Sequence, residues 1–565
     1  MSGLEVVLLV ATALALWIPL MRRLTGKLPR CLDFVPAALL ALMLIQMVVD
    51  GFHVYMIVTY GVVVLLFLFT FRRLIRPDLP IKASRLRTVL TVIGALLGIV
   101  VLIVGLWSAP MAAIAAGEDL SRESWTAAFD RMNGILAQRY PFTEWKQVDW
   151  DALHAEYAPR IAAAEEANDQ EAYYLALREY SFSIPDGHVI HSGDDRGSWR
   201  TSIGSGYGLA LIELDDGVAI AHLLQEGGPA EKAGLAWGAE ILEWGGLPTR
   251  EAIGAVSPIW VVRPSATQEG RRFFQQALLT RAPIGTEITV TFQNPGQDEP
   301  QTVVLTAVDD GLEPLYQSLG WSASAAIREG MGEEVDTSEI YKPPEWRILP
   351  EGYGYIQVYH IRPREGDPDF VGIVDQAMAE FVAQDVPGII IDVRGNPGGR
   401  DELVPAMMGY FFTEPDFYEY QYVDNWPTNL SLLDFAMVIG LEPKEPHYGG
   451  PVAVLIDANT VSSGEGFPLL ARRLSQGHVV GVYGTHGSFG MCCGTINLPG
   501  NSELLYSVGQ SQDANHRVQL EGDHNLQGGV APDIRVPLTR ETAYAMFVEG
   551  EDVVLQRAVE ALQGP

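Results

Sequence analysis

Lysine is nearly missing from the second half of this 565-residue chain: after residue 350 only Lys444 remains. Basic residues are scarce throughout, with 38 Lys and Arg against 70 Asp and Glu and a formal net charge of −32. Residues 1–110 hold ten basic and four acidic residues, net +6, which leaves −38 for the remainder. An acidic body of that size repels phosphate backbones and anionic lipid surfaces, so nucleic acid is excluded as its partner. Cysteine is confined to Cys31, Cys492 and Cys493. That is neither a disulfide framework nor a zinc spacing, so no metal and no other cofactor is expected.

Long apolar runs, by contrast, crowd the N-terminus. Four of them precede residue 110: "LEVVLLVATALALWIPLM", "FVPAALLALMLIQMVV", "HVYMIVTYGVVVLLFLF" and "TVLTVIGALLGIVVLIVGLW". Each is close to the length that crosses a hydrocarbon core, and the leader "MSGLE" lacks the positive charge of a signal peptide. The loops "MRRLTGK" and "FRRLIRPDLPIKASRLR" are basic while "VDGFH" is not, which would set the basic loops in the cytoplasm. The expectation is a four-helix, multi-pass membrane anchor over 1–110, in contact with the lipid bilayer, with everything after it extracytoplasmic, periplasmic or extracellular.

Beyond the anchor the pattern changes three times. Residues 111–200 read as a helical cap, in which Trp125, Phe129, Met132, Ile135 and Leu136 recur at helical spacing until "SIPDGHVIHSG" breaks it. Residues 203–308 turn to short β runs with glycine turns, among them "GSGYGLALIEL", "GGPAEKAGL" and "TEITVTF". The loop Gly206, Tyr207, Gly208, Leu209 leaves successive amides free to cradle a terminal carboxylate, and the segment resembles a PDZ domain. A polar connector spans 309–350. From 351 to 545 apolar strands alternate with helical stretches, as in an α/β layer buried on both faces, and 546–565 closes the chain as a helix.

Three short stretches where chemistry could occur are expected just beyond strand ends of the α/β layer. "DVRGNPGG", residues 392–399, can bring its backbone close to another molecule. In "ANTVSSGEGF" two readings compete for one hydroxyl. Ser462 with Glu465 three residues on matches a helix capping box, but a serine opening a helix is also well placed as a nucleophile. "PDGHVIH" holds His188 and His191; imidazole is the side chain whose ordinary pKa suits it to take a serine proton, although a lone histidine is more often an ordinary surface residue.

"SIPDGH", the PDZ-like segment, "IIIDVRGNPGG", "TVSSGE" and "GGVAPDI" occur in the order found in C-terminal processing (tail-specific) serine peptidases. Over about 120–540 the chain resembles the branch of the tricorn core and of interphotoreceptor retinoid-binding protein. The resemblance implies an α/β catalytic domain of crotonase-like ββα layers beside a β-rich PDZ-like domain and the helical cap. It implies a serine endopeptidase working through an acyl-enzyme on protein or peptide substrates, presented possibly by their C-termini. Ser462 falls on the nucleophile and His188 on the base. Glu521 falls on the acid that orients the base, with Asp523 and His524 as neighbours able to replace it. Gly398 or Gly399, with Ser463, falls on the oxyanion hole. The lysine base of the better-known branch is missing: "THGSFG" stands there, with Ser488 near the expected place. Val189 stands where threonine is usual. The competing reading is a non-catalytic peptide- or ligand-binding scaffold of the same fold.

Overall fold

The structure is a computed structural model that describes residues 117–563, apart from 196, 337–340 and 427–430, together with short stretches before them, the longest being 34–49. The chain divides into two compact units, Met1–Glu118 with Tyr422–Ala436, and Asp119–Gln421 with Met437–Pro565.

In the first unit helix α1, Val35–Val49, covers most of the second apolar run. Its 15 residues rise about 22 Å, short of the roughly 30 Å of a hydrocarbon core. Among the described residues no helix is long and apolar enough to cross a membrane. The four-helix anchor and the multi-pass membrane placement expected from the apolar runs are therefore corrected. Hydropathy registers apolar content, whereas crossing needs that content on one uninterrupted helix. Most of the first and third runs and all of the fourth lie outside the described residues.

The second unit opens with three helices, α2 (Trp125–Arg139), α3 (Trp150–Ala167) and α4 (Gln170–Phe182), capped by Ser124, Asp149 and Asp169, whose side chains each accept an amide of the first turn. The apolar stripe read from the sequence buries Phe129, Met132 and Leu136. Strand β1 (Ile190–Ser192) follows. A five-strand antiparallel path, in spatial order β6-β5-β4-β3-β2, is formed by β2 (Leu209–Glu213), β3 (Ala219–Leu224), β4 (Glu240–Trp244), β5 (Glu287–Gln293) and β6 (Gln301–Thr306), with a helix, α5 (Gln268–Leu279), inserted between β4 and β5. The stretch expected as a polar connector instead contains two short helices, Glu313–Leu319 and Trp321–Gly330, whose Leu315, Leu319 and Ile327 share a core with Trp199 and Phe274.

The α/β layer is a six-stranded sheet in the order β7 (Glu345–Ile348), β8 (Gly354–Gln357), β9 (Ile389–Asp392), β11 (Val452–Leu455), β12 (Gly477–Gly481), β15 (Ile534–Arg535). All pairs are parallel except β7 with β8. Both faces are covered. Ile389, Ile391, Val452 and Val454 enter one core, with helix α6 (Phe370–Ala383), and Ile390, Ala453 and Leu455 enter the other, with the C-terminal helix Val553–Leu562. This is why the sequence shows continuous apolar runs there rather than alternation. Strand β10 (Asp416–Val423) lies outside this sheet. The hairpin β13 (Gly494–Leu498) and β14 (Ser502–Tyr506) takes β1 as a neighbour, with Glu503, Leu504 and Leu505 opposite Ser192, His191 and Ile190. Cys492 and Cys493 stand side by side in the chain just before β13.

Candidate active site

Strands β9 and β11 are parallel neighbours, so the loops leaving their C-terminal ends emerge side by side. The loop after β9 carries Gly398, and the loop after β11 carries Ser462. A Cβ on Gly398 would stand 2.6 Å from the Ser462 Cβ and 3.0 Å from the Ser463 amide nitrogen, so glycine is what lets these two turns touch. Gly399 is packed as closely, since a Cβ there would meet the Ile361 carbonyl oxygen at 2.0 Å.

Ser462 is the first residue of a short 3-10 turn, Ser462–Glu465, and has a left-handed φ of 56°. A non-glycine residue in that region is strained, a cost often found at working sites. The capping box does not form. Val461 holds the N-cap position without a side-chain bond, and Glu465 accepts the Thr485 hydroxyl and the amides of Gly487 and Ser488. Burial pushes the Glu465 carboxyl up to about 7, against those three donors. The Ser462 hydroxyl has no hydrogen-bond partner among the described residues.

Of the three expected oxyanion donors, one is already occupied: the Gly398 amide donates to Asn396 Oδ1 at 2.8 Å. The Gly399 and Ser463 amides carry no such bond among the described residues. The Ser463 hydroxyl donates to Asp401 Oδ1 at 2.5 Å. Burial lifts the Asp401 carboxyl to about 6.

His188 arrives from the loop between α4 and β1, and Ser488 joins it to the serine turn. The Ser488 carbonyl accepts the Ser462 amide at 3.0 Å, its hydroxyl accepts the Gly187 amide at 2.8 Å, and the same hydroxyl meets His486 Nδ1 at 3.0 Å. Burial pushes the His188 ring down to about 4, opposed by Asp186 and assisted by Arg263, Lys146 and Arg362. His191, its neighbour in the sequence, lies instead in the helical core against the Tyr174 ring, and the buried Arg178 donates to its carbonyl.

Glu521 is brought to this region but not into contact with His188. Its carboxylate forms a fully buried ion pair with Lys146 Nζ at 2.7 Å and accepts the Phe489 and Gly490 amides. Burial raises its pKa, and Lys146 pulls it back. Lys146 also donates to the Pro185 and Gly522 carbonyls, tying the α2–α3 loop to the His188 loop and the Glu521 loop at once. Asp523 and His524 are on the exposed turn beyond. The carboxylate facing His188 is that of Asp186, 3.7 Å from Nδ1. Asp186 accepts the His188 amide at 2.8 Å and the hydroxyls of Tyr140 and Ser507. Burial, the largest influence, raises it, yet Lys146, His188 and these bonds hold it below the ordinary range. Asp186, His486 and Lys146 were not foreseen as site residues. Two of them stood inside the quoted motifs "PDGH" and "THGSFG", but Lys146 is 375 positions from its partner.

In the β domain the Gly206 amide is committed to the Val308 carbonyl at 3.0 Å, and the Tyr207 and Gly208 carbonyls accept Ala230 and Gln225 amides. The cradle read from "GYGL" is thus narrower than expected. No group of three or more metal-ligating side chains occurs among the described residues.

A buried-sheet α/β layer with a strained serine turn against a glycine turn is the frame of a serine-type peptidase. Comparison with known proteins gives the same class: residues 352–536 match peptidase family S41, and residues 121–174 match the tricorn protease C1 domain, so the chain carries an S41 peptidase domain. Among solved structures it is similar to mature CPAF complexed with lactacystin, at 13% identity over 78% of this chain and 99% of that one, with a TM-score of 0.52. Mature CPAF itself matches at 13% identity over 78% and 98%, with a TM-score of 0.53. The photosystem II D1 C-terminal processing protease aligns at 16% identity over 76% and 98%, with a TM-score of 0.34. At such identities the likeness to CPAF concerns the fold alone.

The contact between the turns gives a direct test. Gly398→Ala should abolish peptide hydrolysis and cost about 1–3 kcal/mol of stability, because it combines a φ of 91° with a Cβ that displaces Ser462. Gly234→Ala is the control, having a φ of 93° but no atom within 4 Å of its new Cβ, so it should lose stability and keep activity. Equal activity of the two variants in a fluorogenic peptide assay would refute the proposed contact.

Proposed function

We propose that this peptidase cleaves peptide bonds within polypeptides through an acyl-enzyme on Ser462, with His188 as general base. Supporting this reading above all is the Ser488 bridge, which binds the backbone beside His188 and the backbone of Ser462 to one residue. The hydroxyl of Ser462 attacks the carbonyl while His188 takes its proton, and the tetrahedral oxyanion is received by the Gly399 and Ser463 amides. His188 then returns the proton to the leaving amine and activates water for deacylation. Asp186 positions the ring through its backbone, while Glu521 acts one step further out through Lys146 and the Phe489–Gly490 amides. The β domain 203–308, read as PDZ-like, would hold part of the substrate at Tyr207–Leu209.

His486 offers a second base, since it occupies the same cleft with its Nε2 unpartnered. A fluorophosphonate should label Ser462, as located by peptide mass mapping. His188→Ala should suppress labelling while His486→Ala slows it only modestly; the reverse order would transfer the role to His486. No labelling of wild-type protein, together with no hydrolysis of unfolded protein substrates, would leave the binding scaffold as the function.

Because a base must be neutral to accept a proton, kcat/KM should stay level from neutral pH down to about 4 and fall below it, rather than falling at the ordinary 6.5. The fold is stressed over the same interval. His188, near 4, and His191, His222 and His486, near 3, are buried and neutral, so the stability they contribute is complete above 6.5 and lost as pH falls through those values. Near-UV circular dichroism at each pH separates the two effects. An acid limb at 6.5 in protein that is still folded would contradict the burial of His188.

A further inference from the structure

Among the described residues the buried arginines are otherwise provided for. Arg281 pairs with Asp310 through two hydrogen bonds, and Arg178 donates to the carbonyls of Ile259, His191 and Val261. Arg263 is the exception. It is partly buried, lines a cavity of about 100 Å³, and has no hydrogen bond or ion pair among the described residues. The same cavity is walled by Val461, by Pro397 and by His486. Val461 precedes the candidate nucleophile, and Pro397 precedes the glycine turn. Arg362 stands at this place too, exposed, with its amide 2.8 Å from where a Cβ on Gly399 would lie.

An arginine in such a place is costly. Removal from bulk water, together with the charge of Arg362, brings its pKa down to about 10. The carboxylate that acts on it, Asp186, is already engaged by two hydroxyls and a backbone amide. A guanidinium presents a rigid fork of donors that fits a carboxylate in a bidentate manner, and one left unfilled beside a reaction site is a receptor without its ligand.

We propose that Arg263, supported by Arg362, binds a carboxylate of the peptide substrate next to the scissile bond. The anion comes either from an acidic side chain or from the peptide's own C-terminus. This deepens the peptidase reading given above and rests on it.

The consequence reaches the base. The charged and titratable groups acting on His188 are Asp186 on its own loop, Lys146 from the α2–α3 loop, and the two arginines; His486 stands beside it on the loop after β12. Of these, the arginines are the ones a substrate can neutralise. An arriving carboxylate therefore removes part of the positive field on the ring and makes it a stronger base when a suitable substrate is bound.

The test uses full-length protein and paired fluorogenic peptides of one sequence: Glu against Gln on either side of the cleaved bond, and a free C-terminal acid against its amide. At least one acidic member should show kcat/KM ten-fold or more above its neutral twin, with the acid limb of kcat lying at higher pH than that of kcat/KM. Arg263→Gln should bring the ratio to near one, and Arg263→Lys should keep part of it. Because a ratio is read, a general loss of activity in the variant cancels, and circular dichroism checks the fold. Binding to Ser462→Ala protein by calorimetry gives a readout independent of turnover. If both twins of every pair bind Ser462→Ala equally, or if Arg263→Gln retains the discrimination, the proposal is overturned even though hydrolysis may stand. If discrimination is present but wild-type protein cleaves neither twin, the peptidase reading fails and the carboxylate site remains.

Discussion

Ser462→Ala is expected to lower kcat for peptide hydrolysis by about 10⁶-fold, the scale found when a nucleophile is deleted from a serine peptidase. The unfolding midpoint should hardly move, because the hydroxyl has no partner among the described residues and alanine inherits the same backbone strain. Nucleophile and base act as a unit, so His188→Ala should cost a comparable factor, and the double variant should be little worse than either single one. Additive losses, or more than about one hundredth of wild-type turnover in Ser462→Ala, would show that another hydroxyl does the work. Ser463 would then be the first to examine, although its bond to Asp401 holds its oxygen elsewhere.

The second large effect falls on stability. Lys146 and Glu521 are both fully buried, and breaking a buried pair from one side leaves an uncompensated charge, which typically costs about 3–5 kcal/mol. Lys146→Met also leaves the Pro185 and Gly522 carbonyls without their donor. Urea unfolding should show a loss of that order, and adding Glu521→Gln should recover a good part of it. A change under about 1 kcal/mol would mean that Glu521 is carried neutral in the fold, in the direction in which burial drives it. Activity separates the roles further, because a residue that only holds the loops should lower kcat in proportion to how far His188 is displaced.

The elements that were legible in the sequence are those written locally. "GIII" and "PVAVL" became β9 and β11 because a strand covered on both faces needs an unbroken apolar run, and the stripe from Phe129 to Leu136 became α2 because helical spacing needs no distant partner. Ser462, the glycine turn and His188 could be singled out because each belongs to a short motif whose order is distinctive. What could not be read is what distance in the chain conceals. The Lys146–Glu521 pair joins segments 375 positions apart, and the Ser488 bridge joins Gly187 to a residue 301 positions later. The Gly398 amide, one of the expected oxyanion donors, is taken by the side chain two residues before it, which the glycine motif alone does not reveal. The apolar N-terminal runs misled for a different reason: composition suggested spans, while among the described residues no helix is long and apolar enough to cross a membrane.

Because β1 is stitched to β14, the strand that follows His188 gains its neighbour only after residue 505 has left the ribosome. Until then the loop of His188 and the turn of Ser462, the proposed base and nucleophile, lie on pieces that this pairing has not yet joined.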